Sequence, residues 1–153
     1  MLYFCFMENI FTDEYFMKKA LDEAEIAFDK GEVPVGAVIV INNVIIARSH
    51  NLTELLNDVT AHAEMQTITA AANYLGGKYL IGCTIYVTLE PCQMCAGALY
   101  WSQISKVVYG ASDEHRGFEK MGTQLHPKTV VKRGVMENEA SDMMKRFFVE
   151  KRK

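Results

Sequence analysis

The stretch TLEPCQMCAG, residues 88–97, constrains this chain more than any other. Two cysteines stand three apart, just after a proline that follows a strand-like run. Side chains at i and i+3 on a first helical turn point the same way, so Cys92 and Cys95 can share one metal ion. A helix N-terminus carries partial positive charge and free N–H groups, which favour thiolate over thiol. A redox pair and half of a metal site both meet that description, and the rest of the site has to separate them.

Thirty residues before Cys92 lies DVTAHAEM, residues 58–65. His62 and Glu64 stand at the start of an Ala-rich segment, TAHAEMQTITAAANYL (60–75), that reads as a helix closed by Gly76-Gly77. Residues two apart on a helix point about 200° apart, so both face one pocket only where the chain enters the first turn. Two helix N-termini leaving the same side of a sheet would then converge on a single cavity. One brings His62, the other Cys92 and Cys95.

Those three ligands have no obvious fourth. Cys83 opens the strand that leads to Cys92, and a rise of ~3.3 Å per residue puts roughly 20 Å between them. His50, His115 and His126 stand alone and read as surface or core residues. Structural zinc takes four protein ligands, whereas catalytic zinc keeps one place for water, so an open Zn²⁺ site is expected. Glu64 is then placed as general base, taking a proton from that water, handing it to a ring nitrogen and helping an amine leave as ammonia. The reaction class that fits is hydrolytic deamination of an amino-substituted heterocycle. A thioredoxin-like role for Cys92 and Cys95 leaves the upstream His-x-Glu as coincidence. Glu64 as a first-turn charge that answers the helix dipole is the plain alternative, set aside by its place two after His62.

The rest of the chain supplies a frame for such a site. Its 153 residues, half hydrophobic and 23% charged, suit one globular domain spanning 1–153. The net charge of −3 speaks against wholesale nucleic-acid or membrane binding and leaves room for a local basic face. Four cysteines are too few for a disulfide scaffold, which suggests a reducing, cytoplasmic setting. The opening MLYFCFM is apolar but only seven residues long, and the longest later apolar run, VGAVIVI (35–41), is strand-sized. Neither reads as a membrane span or export signal. Residues 1–12 read as an extension, with Met7 a second candidate start.

Apolar residues at Met17, Leu21, Ala24 and Phe28 recur at helical spacing from about Asp13, and Gly31 stops that helix. VGAVIV and VIIAR flank Asn42-Asn43, a hairpin signal. Strands are expected at 84–89, 105–111 and 128–134, a helix at 92–103, and a last helix through ENEASDMMKRFFVEKRK from 137. The order α-β-β-α-β-α-β-β-α predicts a three-layer α/β/α fold whose five-stranded mixed sheet carries helices on both faces.

The pair H-x-E and P-C-x-x-C is a signature of zinc deaminases. EVPVGAVIV (32–40), DVTAHAE (58–64), YVTLEPCQMCAGA (86–98) and RFFVEKRK (146–153) resemble the bacterial tRNA-specific adenosine deaminases, and the similarity runs from about residue 13 onward. The resemblance implies a cytidine deaminase-like fold with one zinc per subunit. It implies inosine formation at the wobble adenosine of a tRNA anticodon, by a homodimer whose two subunits both touch the RNA. It also implies that Asn51 hydrogen-bonds the target base and that the backbone around Ala63 contacts it.

Of residues 145–153, five are basic (Lys145, Arg146, Lys151, Arg152 and Lys153) and one is acidic. Compensation of the helix dipole is one reading of that tail. A phosphate-tracking patch is the other, with Phe148 stacked near a flipped base and Lys128, Lys132 and Arg133 extending it. The resemblance favours RNA. The sequence also departs from the family: SDEHRGFEKMG (112–122) replaces its usual Lys-Thr-Gly and Gly-Ser segment, and Val59 stands where proline is common. ALYWSQ (98–103) resembles bacterial guanine deaminases, whose substrate is a free base. A small-molecule nucleobase or nucleoside deaminase, acting on guanine, cytosine or cytidine, is therefore the alternative.

Overall fold

A computed structural model of the chain describes residues 9–153. The reading that the chain starts at Met7 lies outside the described residues. Nine elements follow in order: α1 Asp13–Asp29, β1 Gly36–Ile41, β2 Val44–His50, α2 Ala63–Leu75, β3 Thr84–Leu89, α3 Gln93–Ser102, β4 Lys106–Ala111, β5 Val130–Lys132 and α4 Glu137–Lys151. The expected order of elements holds. The sheet runs β2-β1-β3-β4-β5. β1 is antiparallel to both neighbours, while β3, β4 and β5 are parallel, so the sheet is mixed. Among the described residues no helix is long and apolar enough to cross a membrane.

Both faces of the sheet are covered, which is why its central strands read as continuous apolar runs. Ala37 and Ile39 of β1, Ile85 and Val87 of β3, and Val107 and Tyr109 of β4 point to one side, against Ala63 and Ala71 of α2 and Ala96 and Leu99 of α3. Val38, Val40, Tyr86 and Val108 point to the other, against Phe16, Met17, Ala20 and Leu21 of α1 and Ala140 of α4. Helix α1 lies so close to β1 that a Cβ at Gly36 would overlap the backbone of Ala20 and Ala24. Thr12 caps α1, its hydroxyl oxygen accepting the Tyr15 N–H at 3.1 Å. Asn42 and Asn43 take φ of 50° and 62°, the paired left-handed conformation of a tight hairpin turn.

Element boundaries shift from the sequence reading, most at α2, α3 and β5. Helix α2 starts at Ala63 instead of residue 60, because the Asp58 carboxylate accepts both the Thr60 N–H (2.8 Å) and its hydroxyl (2.7 Å) in a turn of its own. Helix α3 starts at Gln93, with Cys92 as its extended N-cap. β5 is only three residues long, pairing from Val130 to Lys132 along an edge.

The register locates the site. Gly36 pairs with His50 and Leu89 with Ala111, so the start of β1 and the ends of β2, β3 and β4 meet along one edge of the sheet. The chain leaving β2 leads to α2, and the chain leaving β3 turns directly into α3. Both helix N-termini therefore open at that edge.

Candidate metal centre and substrate cavity

His62, Cys92 and Cys95 meet there. His62 Nδ1 lies 3.7 Å from Cys92 Sγ and 3.6 Å from Cys95 Sγ. A tetrahedral ion with Zn–N near ~2.05 Å and Zn–S near ~2.3 Å demands an N···S edge of about 3.6 Å. Both N···S edges already match that value, and the three donor atoms lie within 4.8 Å of one another. Cys83 is buried in the core between sheet and helices and takes no part, as the length of β3 requires. Among the described residues, no fourth His, Cys, Asp or Glu joins this group.

His62 is the N-cap of α2, with extended backbone at φ −72° and ψ 156°, and Glu64 is in its first turn. That bend lets residues two apart look into the same space. Cys92 and Cys95 occupy the equivalent start of α3. The hydrogen bond from Cys95 holds the Cys92 thiol down to about 4, against the opposing effect of burial and with help from His62. The same hydrogen bond, with burial, pushes Cys95 up. His62 is raised, chiefly by its contact with Cys92. Glu64 is only 4% exposed, and burial raises its carboxyl above the usual range. A carboxyl so tuned can take up and release a proton during a reaction.

His62, Glu64 and Cys92 line the floor of a cavity of about 870 Å³, with Cys95 buried beside them. Val33, Val35, Asn51 and Thr53 line one wall, and Ser112 to Arg116 line another. Ser141, Met144, Lys145 and Phe148 of α4 close the outer side. Asn51 is buried, and its Oδ1 accepts the Ala63 N–H at 2.8 Å. The side-chain Nδ2 of Asn51 makes no hydrogen bond among the described residues, so a donor is left for a guest.

Residues 11–111 match the family described as the cytidine and deoxycytidylate deaminase zinc-binding region. A tRNA-specific adenosine deaminase from Bacillus subtilis is 49% identical over 148 residues, which cover 92% of this chain and 91% of that protein. This chain belongs to the tRNA-specific adenosine deaminase family. A solved structure from studies of A-to-I editing by tRNA:A34 deaminases superposes with a TM-score of 0.80 at 44% identity, covering 84% of this chain and 98% of the other. Guanine deaminase from Bacillus subtilis superposes less completely, with a TM-score of 0.63 at 41% identity over 66% of this chain and 65% of its own.

As a member of this deaminase family, the protein carries one zinc ion per subunit. The expected α/β/α deaminase fold is also the observed one.

The basic tail of this deaminase divides between cavity and scaffold. Lys145 and Phe148 line the cavity, and with Arg152 they also line a smaller groove of about 280 Å³ along α4. Arg146 turns toward α1, with its guanidinium 3.4 Å from Glu25 Oε2 and 4.6 Å from the centre of the Phe28 ring. Lys151 lies over Phe147, 5.3 Å from its centre, and Lys153 is exposed at the chain end. Lys132 pairs with Asp13 and Arg133 with Glu119, both at 2.6 Å, while Lys128 is exposed.

Of the lone histidines, His50 bonds Glu23 Oε2 through Nδ1 at 2.9 Å, and His126 packs against Tyr100. His115 lines the cavity, which reading it as a plain surface residue did not anticipate. Two buried carboxylates were also passed over. Glu32 Oε1 and Oε2 accept the N–H groups of Glu54 (2.9 Å) and Leu55 (3.0 Å). Glu90 does the same for Asp113 and Glu119 on the opposite wall.

Proposed function

We propose that this deaminase hydrolyses adenosine to inosine at the wobble position of a tRNA anticodon, as a cytoplasmic homodimer built from single-domain subunits of residues 1–153. The observation that carries the reading is the convergence of Glu64 with three zinc donors, His62 and Cys92 among them lining a cavity whose outer side is Lys145 and Phe148. The substrate follows from relatives that match this chain almost end to end. The guanine deaminase likeness, which would favour a free base, spans about two thirds of each chain.

In this reading His62, Cys92 and Cys95 hold the zinc, which when bound supplies Lewis-acid polarisation. Glu64 relays both protons of the attacking water in turn: the first goes to the ring nitrogen, and the second, taken from the new C6 hydroxyl, goes to the departing amine. Oxygen bonds to C6, the C6–N bond breaks, and ammonia leaves with inosine as product. Asn51 offers its free amide N–H₂ to the base edge, with the Ala63 backbone beside it. A base reaches this floor only when unstacked, as in a single-stranded loop. Phe148 then stacks near it. Lys145 and Arg152, with Lys151 and Lys153 further along the tail, track the phosphates. Arg146 contributes to the tail by anchoring α4 on α1.

The second subunit is supported by large apolar side chains left in solvent beside the site-bearing elements: Leu55 at 67%, Val59 at 84% and Trp101 at 77% exposure. Sedimentation at micromolar concentration gives twice the chain mass if the homodimer holds.

Ammonia release is measured from an anticodon stem-loop bearing adenosine and from adenosine, cytosine and guanine as free compounds. Turnover on the stem-loop, falling steeply with added salt, is the expected result. Turnover confined to the free compounds overturns the RNA assignment.

A further inference from the structure

The loop of residues 112–119, of which 112–116 line the cavity, has little regular structure, yet it is fixed at several points. Glu90, 6% exposed at the end of β3, accepts the Asp113 N–H on Oε1 at 3.0 Å and the Glu119 N–H on Oε2 at 3.1 Å. Both carboxylate oxygens are therefore spent on one loop. A Cβ at Gly117 would overlap that carboxylate, so the loop closes over Glu90 only because residue 117 has no side chain. Gly117 forms a bridge with Cys92, and the Phe118 N–H donates to the Pro91 carbonyl at 2.9 Å. Phe118 is buried and meets Tyr109 edge to face at 6.2 Å. Inside this frame the Asp113 carboxylate accepts the N–H groups of His115 and Arg116, each at 3.0 Å. The side chains of His115 and Arg116 are exposed, and both line the cavity.

We infer that Glu90 is the positioning residue for this wall: its carboxylate fixes the Asp113–Glu119 loop so that His115 and Arg116 meet the substrate beside the zinc ligands. Two charge-assisted hydrogen bonds from part-buried backbone N–H groups to one carboxylate hold the loop in this arrangement while Glu90 can accept twice. The inference rests on the reading that this cavity receives the substrate. It does not depend on whether that substrate is RNA or a free nucleoside.

Glu90→Gln keeps the side-chain volume, removes one acceptor and turns an N–H₂ toward a backbone N–H. Hydrogen exchange should then speed up at the Asp113 and Glu119 amides while β1 stays protected. KM should rise about tenfold with kcat within about threefold and zinc unchanged, the pattern of lost uniform binding. KM is measured with whichever compound the wild type deaminates. Inactivity on the stem-loop thus removes the RNA reading and leaves this test to run on the nucleoside. Replacing the exposed pair, His115→Ala with Arg116→Ala, should raise KM to a similar degree. Adding Glu90→Gln to that pair should change little further, because both act through one wall.

Wild-type KM in Glu90→Gln despite freed loop amides overturns the inference, and so do effects that multiply in the combined variant. Loss of zinc with unchanged KM would instead assign Glu90 to the neighbouring Cys92. If Glu90→Gln fails to fold, the exposed pair decides alone: an unchanged KM there removes the wall from substrate binding.

Discussion

The Asn51 side chain holds the Ala63 N–H at 2.8 Å, tying the end of β2 to the first residue of α2. One amide thus spans 12 residues of chain and satisfies a helix-terminal donor between His62 and Glu64. In the proposed reading two functions sit in one side chain, and they separate by substitution. Asn51→Ala orphans the buried Ala63 N–H, which costs about 1–3 kcal/mol, and it also removes the donor offered to the base. Asn51→Asp keeps the acceptor for the Ala63 N–H, loses the donor and adds a negative charge at a buried position. kcat/KM should fall at least about tenfold in both, while only Asn51→Ala should speed hydrogen exchange at the Ala63 amide.

Glu64 makes a sharper case. Its side chain lies beside the ligands without being one of them, and burial already opposes its charge. Glu64→Gln should bind one zinc per subunit by metal analysis and fold at least as stably as the parent. Its turnover should fall by about 10²–10⁴, the scale of a lost general base.

Ligand removal behaves differently. Cys92→Ser or His62→Ala breaks the three-donor set and should lose both zinc and turnover after dialysis against a chelator. Cys83→Ser is the control. That thiol is buried between β3 and the helices, so the variant should lose about 1–3 kcal/mol to a buried hydroxyl and keep its zinc.

In the tail, neighbouring residues should have opposite effects. Lys145 and Arg152 share the groove with Phe148, whereas Arg146 is spent on Glu25 and Phe28. Lys145→Ala with Arg152→Ala should weaken stem-loop binding and flatten its logarithmic salt dependence by about 1.4, for two phosphate contacts with a single strand. Free nucleoside turnover should not change. Arg146→Ala should leave the salt slope alone and lower stability by about 0.5–1 kcal/mol.

That contrast shows where the sequence stops being legible. Lys145 and Arg146 are adjacent in a run of basic residues, and only the phase of α4 sends one to the cavity and the other to α1. The zinc donors were readable because their chemistry restricts spacing: two thiols on one turn, and an imidazole at the entry of another helix. The sheet was readable because both its faces are covered, leaving apolar strands between turn residues. Glu32 and Glu90 were not, since their partners are backbone amides 22 to 29 residues distant and a backbone amide has no letter. His62 as an N-cap was half visible: the break before Ala63 depends on an Asp58–Thr60 turn that Ala-rich helical propensity conceals.

Asp13, far from the cavity, sets a pH limit on the fold. Burial alone would raise its carboxyl, but hydrogen bonds from Lys132 Nζ (2.6 Å) and Tyr86 Oη (2.8 Å), with Lys106 nearby, outweigh that and hold it below its ordinary value. The unfolded chain then binds its proton at higher pH than the folded one. The stability Asp13 contributes is complete above about pH 4, the unfolded carboxyl value, and disappears as pH falls through the lower folded value. Asp13→Asn should therefore unfold about 2–4 °C below wild type at pH 7, and the two melting curves should converge as the pH is lowered below about 4. A gap that persists unchanged across that range would mean that the first turn of α1, and not the charge pairing with Lys132, is what the substitution disturbs.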